Sequence, residues 1–506
     1  MAAPLQHINL LAPGFKGVNT EDSPLAQDQS FAEVADNAII DQRGRIASRQ
    51  GYTLTTTDAT PLGTDRIHRI HEFYDAAGNE VIFSTGNGKI FSGTTILTQE
   101  SPDGYLGTGE NNWKIVNFND KCYFFQRNNE PLVYDNANGM RTFSTANGAT
   151  TDSSLYCHEA LAAFGRLWIV GSNDDPNTIF WSDLLIGTDF TGGSSGSIDV
   201  TLAWPDGYDE VRALAAFNNN LIVFGNHSII VYGGADSPAN MALVDTVAGI
   251  GAVCRNSVQH IGTDVLFMSP EGLRSFGRAI QEKALPISDL SRNIKSELLE
   301  QLQSRSESTS SVFSPENSFY LIVFPDLQLV YCFDIRGTVE NGAYRVTRWP
   351  STDFKTFSRK RDGTLLVGTS EGIGEYSGYS DNGSIYQFQY RSPSLAFGDS
   401  SRLKMLKKIK STVVGGATAT GTVSWEYDFS GKTNTAQLSI DGGSIAYFNE
   451  SEFNEAEFSS GISVARKTIN ASGSGEVVNI GFTMPINGAE VSIQELNVLA
   501  TVGKVQ

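Results

Sequence analysis

Six histidines, His7, His68, His71, His158, His227 and His260, are the chain's supply of side chains that titrate near neutrality. Only His68 and His71 stand close enough in sequence to share a metal, and they sit in the strand-like "IHRIHEFY", where a three-residue step points the rings to opposite faces. That spacing predicts no joint ligation. "SNDDPNTIFW" (Ser172 to Trp181) opens like an Asp-box turn, but it lacks the glycine and its tryptophan arrives late. "DNANG" (Asp135 to Gly139) begins like a calcium loop without the later glutamate. Both read as hairpin turns. No Gly-x-Ser-x-Gly, Walker-type loop or G-x-G-x-x-G placed between strand and helix appears. Cys122, Cys157, Cys254 and Cys332 are far apart and lie in or beside apolar stretches, which predicts buried thiols rather than a zinc or redox pair. The expectation is therefore no catalytic residue, no metal ligand and no cofactor, with scattered carboxylates left for the fold to bring together.

Charge narrows the partners. With 37 basic against 56 acidic side chains the net charge is −19, so the surface as a whole repels nucleic acid and anionic lipid. The one basic cluster, "RLKMLKKIK" (Arg402 to Lys410), has apolar residues interleaved and reads as a strand with lysines on its solvent side or edge. "NESEFNEAEF" (Asn449 to Phe458) reads as a solvated acidic loop. The acids of "PDGYDE", Asp206, Asp209 and Glu210, are candidates for a rim or a channel lining. The first residues carry no basic n-region, and no run of about 18 apolar residues occurs, so neither a secretion signal nor membrane insertion is expected.

The elements that must position any site repeat along the chain. Seven apolar bursts, anchored at Val81, Cys122, Leu167, Leu221, Val265, Tyr320 and Leu365, follow one another at 41, 45, 54, 44, 55 and 45 residues. They are β-branched and aromatic, and Asn, Gly, Asp and Ser bound them, which is hairpin chemistry. "LIVFG", "YLIVF" and "CYFF" are apolar on consecutive residues, so both faces of these strands must be covered. Stacked sheets recurring every 40 to 50 residues predict an all-β fold with a β-propeller of about seven blades over residues 62–380.

Two long intervals hold insertions. One is rich in glycine and serine between Leu167 and Leu221. The other carries Leu290, Ile294, Leu298 and Leu302 at four-residue steps after Ser288 or Asp289, an amphipathic helix expected to cover a propeller rim, with a subunit contact as the alternative. Residues 1–61 read as an N-terminal arm with a short helix over "DQSFAEVADNAII", and removing residues 1–50 should leave a folded propeller that cannot form or join an assembly. Residues 381–506 alternate apolar and polar, as in a C-terminal β-sandwich.

"GVNTEDSPLA" from Gly17, "FAEVADNAII" and "GRIASRQGY", with "YQFQYRSPSLAFGDSSRLKMLKKIKSTVVGG" from Tyr386, resemble the tail nozzle, or tail tubular protein B-like, proteins of short-tailed bacteriophages. The matching positions are Gly17, Asn19, Thr20, Asn37, Gly44, Arg49 and Gly51. The resemblance implies a structural subunit without catalysis, in a sixfold homo-oligomeric ring that forms the distal DNA-ejection channel. It implies a tail adaptor protein above, tail spikes or fibres around, and double-stranded DNA passing without specific binding. It places the chain in the virion tail, and in the host cytoplasm during assembly. The alternative from another class is a propeller enzyme or lectin acting on host-surface glycans.

Overall fold

The computed structural model describes residues 5–11, 14–102, 105, 112–148, 151–281, 289–302, 307–416, 418–440 and 463–505. The chain is all-β with few helices, and all seven anchors fall in the second strand of an antiparallel meander, from Val81 in Glu80–Gly86 to Leu365 in Leu365–Gly368. Six sheets of three or four strands stand free as propeller blades: 69–99, 114–142, 159–199, 211–247, 259–275 and a closing blade at 356–375. Each second strand is sandwiched between neighbouring blades, which is why it tolerates no polar face. Val265–Ser269 is buried at every position. Phe83 of the first blade meets Phe124 of the second at 5.1 Å, and Phe224 of the fourth meets Phe267 of the fifth at 5.0 Å.

The expected seven free blades become six. The repeat anchored at Tyr320 makes the meander Ser310–Ser314, Phe319–Phe324, Leu329–Thr338 and Tyr344–Pro350, but this meander continues into a nine-stranded sheet. Its outer edge is not left open. Val34–Asp36 pairs with it in parallel through Asp36 and Arg348, and with Tyr386–Arg391 on the other side. Val478–Ile486, Ala419–Tyr427 and Thr433–Ile440 complete the sheet.

The helix expected over "DQSFAEVADNAII" is absent. Its sequence forms the strands Val34–Asp36 and Ala38–Ile40, broken at Asn37, which takes a left-handed φ of 53°. Sheet edges waiting on both sides outweigh a weak local helix preference. Nor do the first 61 residues form a unit of their own. Leu5–Asn9 and Ile46–Ser48 both pair with Val491–Val505, and Thr53–Leu54 supplies the outer strand of the closing blade by pairing with Ile373–Glu375.

Beyond the propeller lies a second sheet region. Arg402–Gly415 is central in a seven-stranded sheet, paired with Val491–Val505 on one side and Ser463–Asn470 on the other, so the lysine-rich strand is not an edge. Its register shifts between Leu406 and Lys408, which leaves Lys407 and Lys408 both exposed. Lys404 is instead buried and donates to the carbonyl of Asp399. Leu406, Ile409 and Val413 share one buried cluster with Val423, Trp425 and Phe482 of the nine-stranded sheet. The acidic stretch 449–458 lies outside the described residues.

The inserted helix forms as a 3-10 turn, Arg292–Ile294, running into an α-helix, Lys295–Leu302, with Leu290, Ile294, Leu298 and Leu302 all buried. Ser288 lies outside the described residues, while Asp289 Oδ1 accepts from the backbone N–H of Ser291 at 2.8 Å. Glu297 on this helix accepts from Tyr331 at 2.8 Å and Arg348 at 3.1 Å, so the helix closes over the meander. Among the described residues no helix is long and apolar enough to cross a membrane.

Candidate functional sites at the arm junction and the propeller mouth

Arg49 is fully buried. Its two terminal nitrogens donate to Asp381 at 2.8 and 2.7 Å, and its Nε donates to Asn37 Oδ1 at 2.9 Å. The guanidinium lies 4.1 Å from the Tyr386 ring and 5.1 Å from that of Phe354. Its forked donors and flat faces are matched by acceptors and aromatic rings, an arrangement that a lysine could not reproduce. Around it, Trp349 stacks on Tyr376 at 5.7 Å, and the Trp349 indole donates to Ala38 O at 2.7 Å. One arginine thus ties the arm, the meander, the closing blade and the C-terminal sheets together.

The other family-like positions serve the same junction. Asn37 donates to Gln387 O at 2.9 Å from the strand of the C-terminal sheet region beside it. A Cβ on Gly51 would collide with the carbonyl of Ser380, and one on Gly17, whose φ is +93°, would stand 2.6 Å from Val346 N. Asn19 is buried, and its Oδ1 accepts from the N–H groups of Glu21 and Asp22 at 3.0 and 3.1 Å. Thr20 N donates to Asn293 O at 2.8 Å, joining arm to helix. Gly44, at φ +77°, turns the hairpin between Ala38–Ile40 and Ile46–Ser48.

A second polar cluster sits on the propeller axis. Blades of four antiparallel strands return the chain so that successive inner strands share a direction, which brings their first residues to one mouth. Arg69, Lys114, Glu159, Val211, Gln259, Ser310 and Thr356 are those first residues, all but Val211 polar. A cavity of about 160 Å³ opens there, with Arg69, His71, Lys114 and Arg255 in its lining and no carboxylate. Arg255, from the turn before Gln259–His260, donates across the mouth to His158 O and to Asn112, and its Nε lies 3.6 Å from Glu159. Lys114 Nζ lies 2.7 Å from the other oxygen of Glu159, which is fully buried. Asn112 and Arg212 both donate to Glu307, at 2.6 and 3.3 Å.

Arg69 differs from these. Among the described residues its guanidinium has no hydrogen-bond or ion-pair partner, and burial, aided by Arg255, pulls its pKa down to about 10. Burial likewise pushes His71 down to about 4, although its Nε2 sits 2.9 Å from Asn117 Oδ1. His158 is buried beside Arg255 and Arg127, and burial first, then these charges, hold its pKa well below the usual histidine range. The imidazole is therefore neutral at pH 7, with Nδ1 2.8 Å from Gly171 O.

The candidate rim acids separate. Asp209 is buried and accepts from the N–H groups of Asn226 and His227 at 2.9 and 2.8 Å, so it fastens a turn and lines no channel. Asp206 is exposed and accepts from Gly249 N at 3.1 Å; Glu210 is half-buried and accepts from Tyr208 at 3.3 Å. All four cysteines are free and buried. Among the described residues no group of three or more His, Cys, Asp or Glu could hold a metal. His68 faces Asp65 at 3.0 Å and His71 faces Asn117, on different partners. The mouth cluster was open to sequence reasoning through one signal: the first residue of each strand-like piece preceding an anchor.

No protein family and no curated protein matches the chain. Among solved structures it is similar to PorZ, a bacterial surface component of the type-IX secretion system of Porphyromonas gingivalis, at 11% identity and a TM-score of 0.37, over 62% of this chain and 37% of that one. The extracellular domain of the hybrid two-component system BT3049 from B. thetaiotaomicron matches at 10% identity and 0.41, over 84% of this chain and 60% of that one. The WD40 domain of Neurospora crassa Pan2 matches at 10% and 0.37, over 65% and 95%. The chain thus spans less than two thirds of either bacterial protein. Likenesses this distant do not bear on what the chain binds or does; by its own sheets it is an all-β protein with a β-propeller.

Proposed function

We propose that the chain is a structural subunit of the nozzle ring of a short bacteriophage tail, one of about six copies around a conduit for DNA, docked to an adaptor ring and to spikes or fibres. The observation that carries this reading is the junction at Arg49. Gly17, Asn37, Arg49 and Gly51, four of the seven positions on which the resemblance rests, are held in the buried joint between arm, propeller and C-terminal sheets rather than in a cleft. A matched segment that acts as a joint points to a shared architecture. Within that reading the fused meander at 310–350 is the seventh blade, since its inner strand Ser310–Ser314 lies beside Thr356–Arg359 of the closing blade, and the paired C-terminal sheets are a β-sandwich.

Composition supports the conduit. Six copies would carry about −114, six times −19, and acids facing a lumen repel a passing polyanion, with the field screened within about 8–10 Å at physiological salt. Asp206 and Glu210 remain available for that role; Asp209 does not. The long interval between Leu167 and Leu221 exposes Leu184 and Leu185 in the last loop of the third blade and Tyr208 between the third and fourth blades, and leaves Leu202 97% exposed, apolar surface suited to a neighbouring subunit.

The test is mass and symmetry. Native mass spectrometry and negative-stain imaging of the chain assembled on its adaptor should give a sixfold ring near 330 kDa from 54.8 kDa subunits. A chain that stays monomeric in purified tails, or is absent from them, contradicts the reading. The second reading, a glycan-acting propeller, is favoured by the polar mouth around Glu159, where such an enzyme would work. Turnover of host capsule or lipopolysaccharide that Glu159→Gln abolishes would establish it instead.

A further inference from the structure

We propose that the propeller mouth is a binding site for a small oxyanion of phosphate or sulfate size, held by Arg69 and Lys114 in the field of Arg255, whose own donors are taken by His158, Asn112 and Asn256. The cavity lined by the three cations, about 160 Å³, fits such an ion with a little water and is too small for a nucleotide. Its charge runs against that of the protein. In a chain of net charge −19, this lining carries three cations and no carboxylate.

Lys114 and Arg255 must share the single buried carboxylate of Glu159, at 2.7 and 3.6 Å, so one positive charge is left over between them. Arg69, half-buried, adds a second: it has no hydrogen bond or ion pair among the described residues, and the carboxylate whose field reaches it, Glu307, is already held by Arg212 and Asn112. A partly buried positive charge without an ion-pair partner gains when an anion joins it. Guanidinium forks are the groups best matched to oxyanions, and Lys114 adds a point charge. The Arg49 junction shows what the same fold does with an arginine needed only for structure: it supplies Asp381, Asn37 and three rings. Arg69 receives none of these.

Binding of inorganic phosphate to the full chain, by isothermal titration at constant ionic strength set with chloride, tests the proposal. Saturable binding at one site per chain is expected, weakened at least tenfold in Arg69→Gln, with Lys410→Gln, an exposed lysine on the C-terminal sheet, as the unchanged control. Sulfate should compete. Phosphoserine and a 5′-phosphorylated dinucleotide distinguish a free ion from a phosphoryl group on a larger molecule: the cavity admits phosphate and excludes the dinucleotide. The proposal is overturned if phosphate fails to bind, if Arg69→Gln binds it as wild type does, or if the dinucleotide binds while phosphate does not. Should Arg69→Gln fold poorly, Lys114→Met replaces it with the same expectation.

Discussion

Arg49 and Arg69 are two arginines placed in opposite ways by one chain. Arg49 is sealed in a joint where every face and donor has a partner: a carboxylate, an amide and three aromatic rings. Arg69 stands at the mouth of the propeller beside Lys114 and Arg255, with too few carboxylates for the charges present. Saturated pairing marks a joint; unsaturated pairing marks a place where something else completes the site. A buried ion pair adds little net stability against an apolar substitute, but breaking one from a single side is expensive.

The largest effect should come from removing residues 1–50. The sequence taken alone suggests that a folded propeller would survive, but the deletion strips Arg49, the strand Val34–Asp36 that bridges two halves of the nine-stranded sheet, and two strands paired with Val491–Val505. The truncated chain should fail to give one cooperative melting transition, as circular dichroism would show. Next comes Asp381→Ala, which leaves Arg49 buried and unpaired. The expected loss is about 3–5 kcal/mol in urea denaturation. Gly51→Ala drives a methyl into the carbonyl of Ser380, and overpacking of this kind costs about 1–3 kcal/mol.

Acid should act on the mouth before the joint. His158, His71 and His68 all have folded pKa values below the ordinary 6.5, each chiefly through burial. The unfolded chain therefore binds more protons than the folded one as pH falls from 6.5 towards the value of about 4 at His71, and stability drops across that window. Above 6.5 these groups contribute no slope. Thermal melts at pH 7.5, 6 and 5 should show Tm falling, and His158→Gln, which keeps a neutral ring-sized polar group, should flatten the fall.

The repeat was legible because strands covered on both faces must be apolar at consecutive positions; all seven anchors lie in such strands. The blade count was not, since nothing in "YLIVF" says that the meander's outer edge will be continued by a strand some 300 residues earlier. The arm misled for a related reason. "FAEVADNAII" has helical spacing, but Asn37 accepts the left-handed region and two sheet edges compete for the chain. Asp209 looked like a solvated rim acid in "PDGYDE", yet it is buried under the Asn226 turn, a partner 17 residues away that no local pattern reveals. Arg49 was picked out by its motif, though its carboxylate partner, Asp381, was not. Arg69, Lys114 and Glu159 converge only because inner strands begin at a common end, a consequence of the repeat itself.

The contrast between joint and mouth is tested most directly by melting Arg49→Met and Arg69→Met side by side, each with and without millimolar phosphate at fixed ionic strength. The Arg49 variant should melt well below wild type and still gain stability from phosphate. The Arg69 variant should melt at or slightly above wild type and gain nothing. Equal destabilisation of the two variants, or a phosphate response that survives in Arg69→Met, would contradict the assignment of one arginine to architecture and the other to binding.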